Sequence, residues 1–480
     1  MNRVFGICAF ALLVALCGCR TTEEVLRDYN GEFRRGVYLR GANETAELAD
    51  GGGGDELLWH LLAGSAYRLV GDAEQAYRQM EAADHCYGAN DTKGVFSRGV
   101  SSSWAMMVND TVFAYDGGGV DRVFTCLYKA IDFLDRGDAS QARVDLNRAG
   151  QYQRNWLYDR RKEIADAKQR FDSDAQKYAN SQRARSSTAS GSSSIVSSAL
   201  SDASLRNQFI TNCGFDPMTD GDVEAIASTK SYMNIYALHV EGIFRWLNDD
   251  SDRNELRDAA SYLPSSAMAR RDAAERRARK FPRDQVWVYI EDGMCPERHE
   301  WRCDLPLFII PGARDYLPYV AMAFPTLQTR SAASDYWRVE NRTPEMICDV
   351  DALVRTEYDI YMKGAVTREI TRTVIRAGME IALGILAEQH KHQDDYWAYK
   401  LGQIAVAVWA ATCTKADTRS WVALPKRVFA TRIDRPESGR LTVSASGETV
   451  TIDLPPGNSM VFLRKPGPMA PTVVKKYTAR

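Results

Sequence analysis

The chain has 480 residues, 45% of them hydrophobic and 26% charged, with a formal net charge of −2. That is material for two or three ordinary globular domains. The near-neutral balance excludes partners held by a broad basic surface, nucleic acid first among them.

The N-terminus reads as a targeting segment. Arg3 supplies a short positive region, Val4 to Leu16 is almost entirely apolar, and Cys17-Gly18-Cys19 follows. Charge, apolar run and small-residue cleavage site make a secretory signal, and the run is too short for a bilayer-spanning helix of about 20 residues. Leu16-Cys17-Gly18-Cys19 resembles the lipobox of bacterial lipoproteins, although Ala, Ser or Thr is commoner at the position of Cys17. The resemblance implies removal of residues 1–18, acylation of Cys19 and stable anchoring by two or more chains. Arg20, in place of Asp, implies transport to the outer membrane in many Gram-negative lineages, and a lipid-anchored, periplasm-facing body is expected. The alternative is an ordinary cleaved signal with a chance cysteine. Residues 19–54 are then a tether, beginning at Thr21–Glu24, and a first helix. Ala377–Ala387 and Ile404–Cys413 are apolar but too short to span, and read as buried helices.

A helical repeat region is expected over 55–284. In residues 63–84 the marked positions are Gly64, Tyr67, Gly71, Ala76, Met80 and Ala83. In residues 130–150 Ala130, Phe133, Gly137, Ala142, Leu146 and Ala149 repeat those spacings, 66 residues on. Small residues let two antiparallel helices approach, the aromatic fills the groove, Gly ends the first helix and Asp caps the second. The pattern resembles the tetratricopeptide repeat, whose period is about 34 residues; a generic helical hairpin bundle is the plainer alternative. Helix pairs are expected near 55–87 and 121–150. A third unit begins near 232–250, with Gly242 and Trp246 as its small and aromatic marks and a second helix near Asn254–Leu263. Residues 151–178 are charged with helical period, and the Ser-rich stretch 180–207 reads as a solvated loop.

From Gln285 the texture changes to a β-rich α+β domain, 285–480, of sandwich-like character. QVWVYIEDG, WRCDLPLFII and YLPYVAMAFP are strand-like, 349–413 is a helical insertion, and strands return at SWVALPKRVFATRID, GRLTVSASG, ETVTIDLPPG and SMVFLRK. Ten cysteines fall to seven once Cys8, Cys17 and Cys19 belong to signal and anchor. Cys295 and Cys303 bracket a short turn and form the expected disulfide of an oxidising compartment, or else both are free thiols.

The helical start, VYIEDGMCPERHE, TREITRTVIRAGMEIA and ADTRSWVALPKRVFATRIDRPESGRLTV together resemble an uncharacterised family of bacterial envelope lipoproteins. Its D-x-R-x-W-x-x-L-P signature is matched by Asp417, Arg419, Trp421, Leu424 and Pro425. The family has no settled activity, and its relatives are sometimes encoded beside lipoproteins that activate penicillin-binding proteins. In the residues themselves, Arg419 pairs with Asp417, Asp349 or Asp351, and a strand carrying Arg419 and Trp421 lies over the helices of 349–413. The competing role for that pair is a ligand site of guanidinium and aromatic face.

No nucleophile-elbow, phosphate-loop or zinc-protease motif occurs. Of six histidines, His390 with Asp394 has usable helical spacing, and His299 lies between two cysteines, yet a solvated helix end and a disulfide explain them. No metal or cofactor is expected. The sequence therefore points to a non-enzymatic outer-membrane lipoprotein whose repeats offer a concave surface to another envelope protein. A glycan- or peptidoglycan-binding lipoprotein using Trp301, Trp337 or Trp421 is the second reading, and an envelope hydrolase the third.

Overall fold

A computed structural model describes residues 21–93, 114–156, 231–306, 319–362 and 414–479, with a few isolated positions between them. The expected signal, Cys19, the Ser-rich stretch 180–207 and most of 362–413 lie outside the described residues.

Helix begins at once. α1, Thr22–Arg35, has Thr21 as N-cap, with Thr21 and Glu24 exchanging side-chain and backbone bonds in a capping box. Val25, Leu26, Tyr29 and Phe33 recur at helical spacing and are buried, and Tyr29 donates to the Leu62 carbonyl at 2.7 Å. The expected tether at Thr21–Glu24 is thus corrected: these residues are the first turn of a docked helix. The helix stops at Gly36, whose φ of 85° suits glycine and whose Cβ, were there one, would sit 2.6 Å from Pro471. α2, Tyr38–Asp50, follows.

Two antiparallel hairpins come next. The first is α3, Glu56–Val70, with α4, Ala73–Lys93. The second is α5, Gly119–Asp135, with α6, a helix over 139–156. The marked small residues lie in the contacts: Ala76, Ala83, Ala130, Ala142 and Ala149 are buried, and a Cβ on Gly64 would meet Met80 at 2.9 Å. Tyr67 is buried; Phe133 is half-buried and packs edge-on against Tyr77. Lys129 reaches across the interior to Glu81, Asp84 and Asp145 at 2.6, 3.1 and 3.2 Å, tying α5 to α4 and α6. α7, Ile235–Leu247, α8, Glu255–Tyr262, and α9, Ala267–Arg277, complete this side. Gly242 leaves no room for a Cβ against Leu256, at 2.7 Å.

The strands are β1, Gln285–Asp292; β2, Glu297–Pro306; β3, Tyr319–Gln328; β4, Trp337–Val339; β5, Glu345–Asp349; β6, Arg427–Asp434; β7, Arg440–Ala445; β8, Glu448–Asp453; β9, Ser459–Lys465; and β10, Val473–Thr478. Five of them form one sheet, in the order β10-β9-β1-β6-β5. β1 runs parallel to β9 and antiparallel to β6. β4, β7 and β8 form a second sheet, and β2 and β3 a separate two-stranded arm. β5 and β6 are hydrogen-bonded neighbours, so the chain between Asp349 and Arg427 leaves and re-enters the same sheet edge as an insertion. It opens with α10, a helix over 350–362.

The two faces of β1 explain the layering. Val286, Val288 and Ile290 face the small sheet and pack with Val339, Leu441, Val443 and Ile452. Trp287 and Tyr289 face the helices and join Phe124, Tyr128, Tyr236, Phe244 and Trp421. Alternation places successive residues on opposite faces, and a strand covered on both sides reads as a continuous apolar run. The described helices of 55–284 and the large sheet of 285–480 therefore share one hydrophobic core. Helices, large sheet and small sheet make three layers, the two sheets packing face to face as a sandwich-like domain requires.

Cys295 is a free, buried thiol, so the expected Cys295–Cys303 disulfide is corrected. β2 starts at Glu297 and carries Cys303 opposite Met322. Six residues of strand separate 297 from 303 at about 3.3 Å each, whereas a disulfide needs Cα atoms within about 7 Å.

Ala142→Trp overpacks the α5–α6 contact and should lower stability by about 1–3 kcal/mol in a urea or thermal melt. Asp121, in the first turn of α5, accepts from Tyr115 Oη at 2.7 Å and the Gly118 amide at 3.1 Å. Burial, with Glu357 nearby, raises its pKa from 3.8 to about 6. The folded state holds this proton where the unfolded chain has lost it. Its stabilising contribution is complete below pH 3.8 and disappears as pH rises through about 6. Asp121→Asn should flatten that part of the stability–pH curve, by up to about 3 kcal/mol, in melts from pH 4 to 7.

Candidate functional site

The signature residues lie in an irregular segment, 414–426, that threads between the helices and β6. Strand begins only at Arg427, so the expectation of a strand from Arg419 is corrected. Asp417 and Arg419 close a local ring: Asp417 Oδ1 accepts the Arg419 amide at 3.1 Å and Nε at 2.8 Å, and Oδ2 accepts Nη2 at 2.8 Å. The outer nitrogen, Nη1, donates to Asp55 Oδ1 at 2.7 Å, and Asp55 Oδ2 accepts Thr22 Oγ1 at 2.8 Å. One guanidinium thus joins the segment to the starts of α3 and α1. Burial opposes its charge, but the Asp417 and Asp55 carboxylates outweigh that and raise its pKa. Asp351, an expected partner, pairs with Lys426 instead.

Trp421 is inserted into the helical layer. Its ring is 2% exposed and stands edge-on to Tyr128 at 5.9 Å, and its Nε1 donates to Ser65 Oγ at 2.9 Å. It therefore packs on α3 and α5. Carbonyls of the segment are taken up as well: Val422 O by Arg330, Ala423 O by Arg464 at 2.9 Å, and Leu424 O by the Cys295 amide at 2.8 Å. Leu424 and Pro425 are buried. A polar backbone can run through the interior because these donors replace water.

Beside this plug lies a closed polar network. Glu291 accepts Tyr128 Oη at 3.1 Å and Tyr236 Oη at 3.0 Å, with Arg464 at 3.6 Å. Arg68 stacks on Tyr128 and pairs with Asp132 at 2.9 Å; Lys475 of β10 reaches the same carboxylate at 3.0 Å. Burial raises the Tyr128 and Tyr236 pKa values and pushes the Cys295 thiol up to about 12. A thiol so held is protonated and a poor nucleophile. The α3 and α5 faces, where the repeat reading seats a partner, are thus covered by the chain's own loop and strands.

Of the aromatics proposed for glycan, Trp337 and Trp421 are buried; Trp301, on β2, is 44% exposed and stacks on Phe324. His299, on β2, is exposed and lies 3.0 Å from Glu297. His390 and Asp394 lie outside the described residues. The residues that gather as metal donors among the described ones are Glu56, His60 and Cys86. The first two are spaced i, i+4 on one helix face, which the sequence displays; the third comes from the facing helix, which it does not. Comparison with protein-family models, curated proteins and solved structures finds no match.

Trp421→Ala should cost about 3–5 kcal/mol, the loss for a buried aromatic truncated in place. Trp421→Phe, which keeps a ring but removes the donor to Ser65, should cost about 1 kcal/mol more than its smaller volume explains. Chemical denaturation of both variants and of Ser65→Ala in a double-mutant cycle measures the bond. Equal stability of Trp421→Ala and wild type would show that Trp421 does not plug the helical layer.

Proposed function

We propose that this chain is a non-enzymatic lipoprotein of the bacterial outer membrane, anchored through Cys19 and serving as a protein–protein scaffold in the envelope. The observation that carries the reading is the order of residues 3–24: a positive charge, an apolar run, Leu16-Cys17-Gly18-Cys19, and a capped helix starting at Thr22. Cys19 stands two residues before Thr21, so an acyl chain there would hold the folded body against the bilayer surface without a long spacer. The helical hairpins support a tetratricopeptide-like reading of the N-terminal half, with Gly64 against Met80 and Ala142 buried as that repeat requires. The likeness of the signature segment to the envelope lipoprotein family adds to it.

Because α3 and α5 are covered internally, a protein partner is better received on the outer side of the helical layer. There Val37 and Leu39 of the α1–α2 corner are half exposed around a shallow depression with Arg40, Asn43 and Glu47. The glycan-binding reading keeps one specific support, the exposed Trp301 on the β2–β3 arm.

Cys19→Ser should block signal processing or release the protein from the outer-membrane fraction. Unchanged processing together with unchanged membrane association would end the lipoprotein reading. Crosslinking in intact envelopes should lose its adduct in Leu39→Glu and keep it in Trp301→Ala. Retention on purified sacculi that Trp301→Ala abolishes would favour the glycan reading instead.

A further inference from the structure

We propose that Glu56, His60 and Cys86 bind a divalent transition-metal ion of the zinc type, clamping α3 to α4 at one end of the first hairpin. Glu56 and His60 stand one turn apart at the start of α3, and Cys86 faces them from α4. Cys86 Sγ lies 3.6 Å from Glu56 Oε1, His60 Nε2 lies 3.9 Å from the same oxygen, and the three donor atoms all fall within 4.8 Å of one another. Tetrahedral coordination at Zn–N and Zn–O of about 2.0–2.1 Å and Zn–S of about 2.3 Å places donor atoms about 3.4–3.6 Å apart. Contraction of the triangle's longest side by at most about 1.4 Å, within reach of side-chain rotation, would close it around an ion.

The histidine is set for this role by its other nitrogen. Nδ1 of His60 lies 2.7 Å from Oε1 of Gln79, on α4. That oxygen accepts only, so Nδ1 carries the proton and Nε2 presents its lone pair toward Glu56 and Cys86. Metal-binding histidines are commonly oriented by such a second partner. His60 and Gln79 are both buried, so the ring has little freedom. Cys86 and Glu56 are half-buried, which gives an ion a route in from solvent. Charge also fits: binding displaces the thiol proton of Cys86 to solvent, and one thiolate, one carboxylate and a neutral imidazole neutralise a dication. Nitrogen, sulfur and oxygen donors together suit zinc better than calcium or magnesium, which take oxygen. Three protein ligands leave a fourth tetrahedral position for water.

The site differs from the structural account of the plug and does not depend on Cys19 or on the scaffold reading. Its test is metal binding by the purified full-length chain in detergent, stripped of metal and reduced. Titration with Zn²⁺ should saturate at one ion per chain, and Co²⁺ should give a tetrahedral visible spectrum with a thiolate charge-transfer band. Cys86→Ser should abolish that band, and Glu56→Gln should weaken Zn²⁺ at least tenfold. Gln79→Leu, which removes only the orienting partner, should weaken it about 10–100-fold. His85→Gln, at the exposed neighbour of Cys86, should change nothing. Far-ultraviolet circular dichroism of each variant separates lost ligation from lost folding, and Glu56→Gln, at a half-exposed position, keeps the test open if Gln79→Leu fails to fold. No stoichiometric Zn²⁺ or Co²⁺ binding, or binding that Cys86→Ser and Glu56→Gln leave unchanged, would overturn the proposal and leave a hydrogen-bonded polar cluster in its place.

Discussion

Val286, Val288 and Ile290 turn to one side of β1, Trp287 and Tyr289 to the other, and all five are inaccessible to water. A strand buried on both faces cannot stand at the edge of a domain; it needs a cover on each side. The small sheet supplies one cover and the helical hairpins the other. Each large apolar side chain fully buried contributes about 1.5–3 kcal/mol, so separating either layer would expose several such contributions together. The helices thus belong to the same core as the large sheet.

Polar groups fix how the layers meet. Asp272 of α9 is fully buried and accepts from Trp287 Nε1 at 3.0 Å, His239 Nε2 at 3.1 Å and Arg432 Nη1 at 2.7 Å. His239 contacts Tyr289 Oη through its other nitrogen, at 2.9 Å. Glu291 does the same for α5 and α7 through Tyr128 and Tyr236. Such buried ions gain little net stability over apolar side chains, but removing one partner leaves the other desolvated and uncompensated. They therefore penalise any other arrangement of helices on sheet, and Arg419 and Trp421 extend this logic to the loop that joins the two.

The sequence discloses what periodicity and small residues control. The two hairpins were legible because Gly64, Ala76, Ala142 and their counterparts recur at fixed spacing, and close helix approach demands small side chains there. β1, β7, β8 and β9 were legible as apolar or alternating runs. Pairing was not: β1 lies between β6 and β9, each more than 130 residues away in sequence, and no local pattern encodes such neighbours. The same reason hid the partners of the signature. Asp417 beside Arg419 is local and legible; Asp55, Ser65 and Tyr128 come from the far end of the chain. Trp421 is legible as a core residue, and its seat against Tyr128 and Ser65 is not. β4 and β5 have too few residues to stand out, β10 (VVKKYT) neither alternates nor runs apolar, and Asp272 as a buried acid has no sequence mark. Cys295 and Cys303 looked paired because the intervening residues resemble a turn; they continue into a strand instead.

The α3 and α5 faces are filled from within by Trp421 and the buried polar network. Because they share one core, helices and sheet should open together. Native-state hydrogen exchange followed by mass spectrometry tests it most directly, on the full-length chain across a denaturant series. The most protected amides of α3, α5 and β1 should share one opening free energy and one denaturant dependence. Helical amides that exchange through a separate, cheaper opening while β1 stays protected would contradict it.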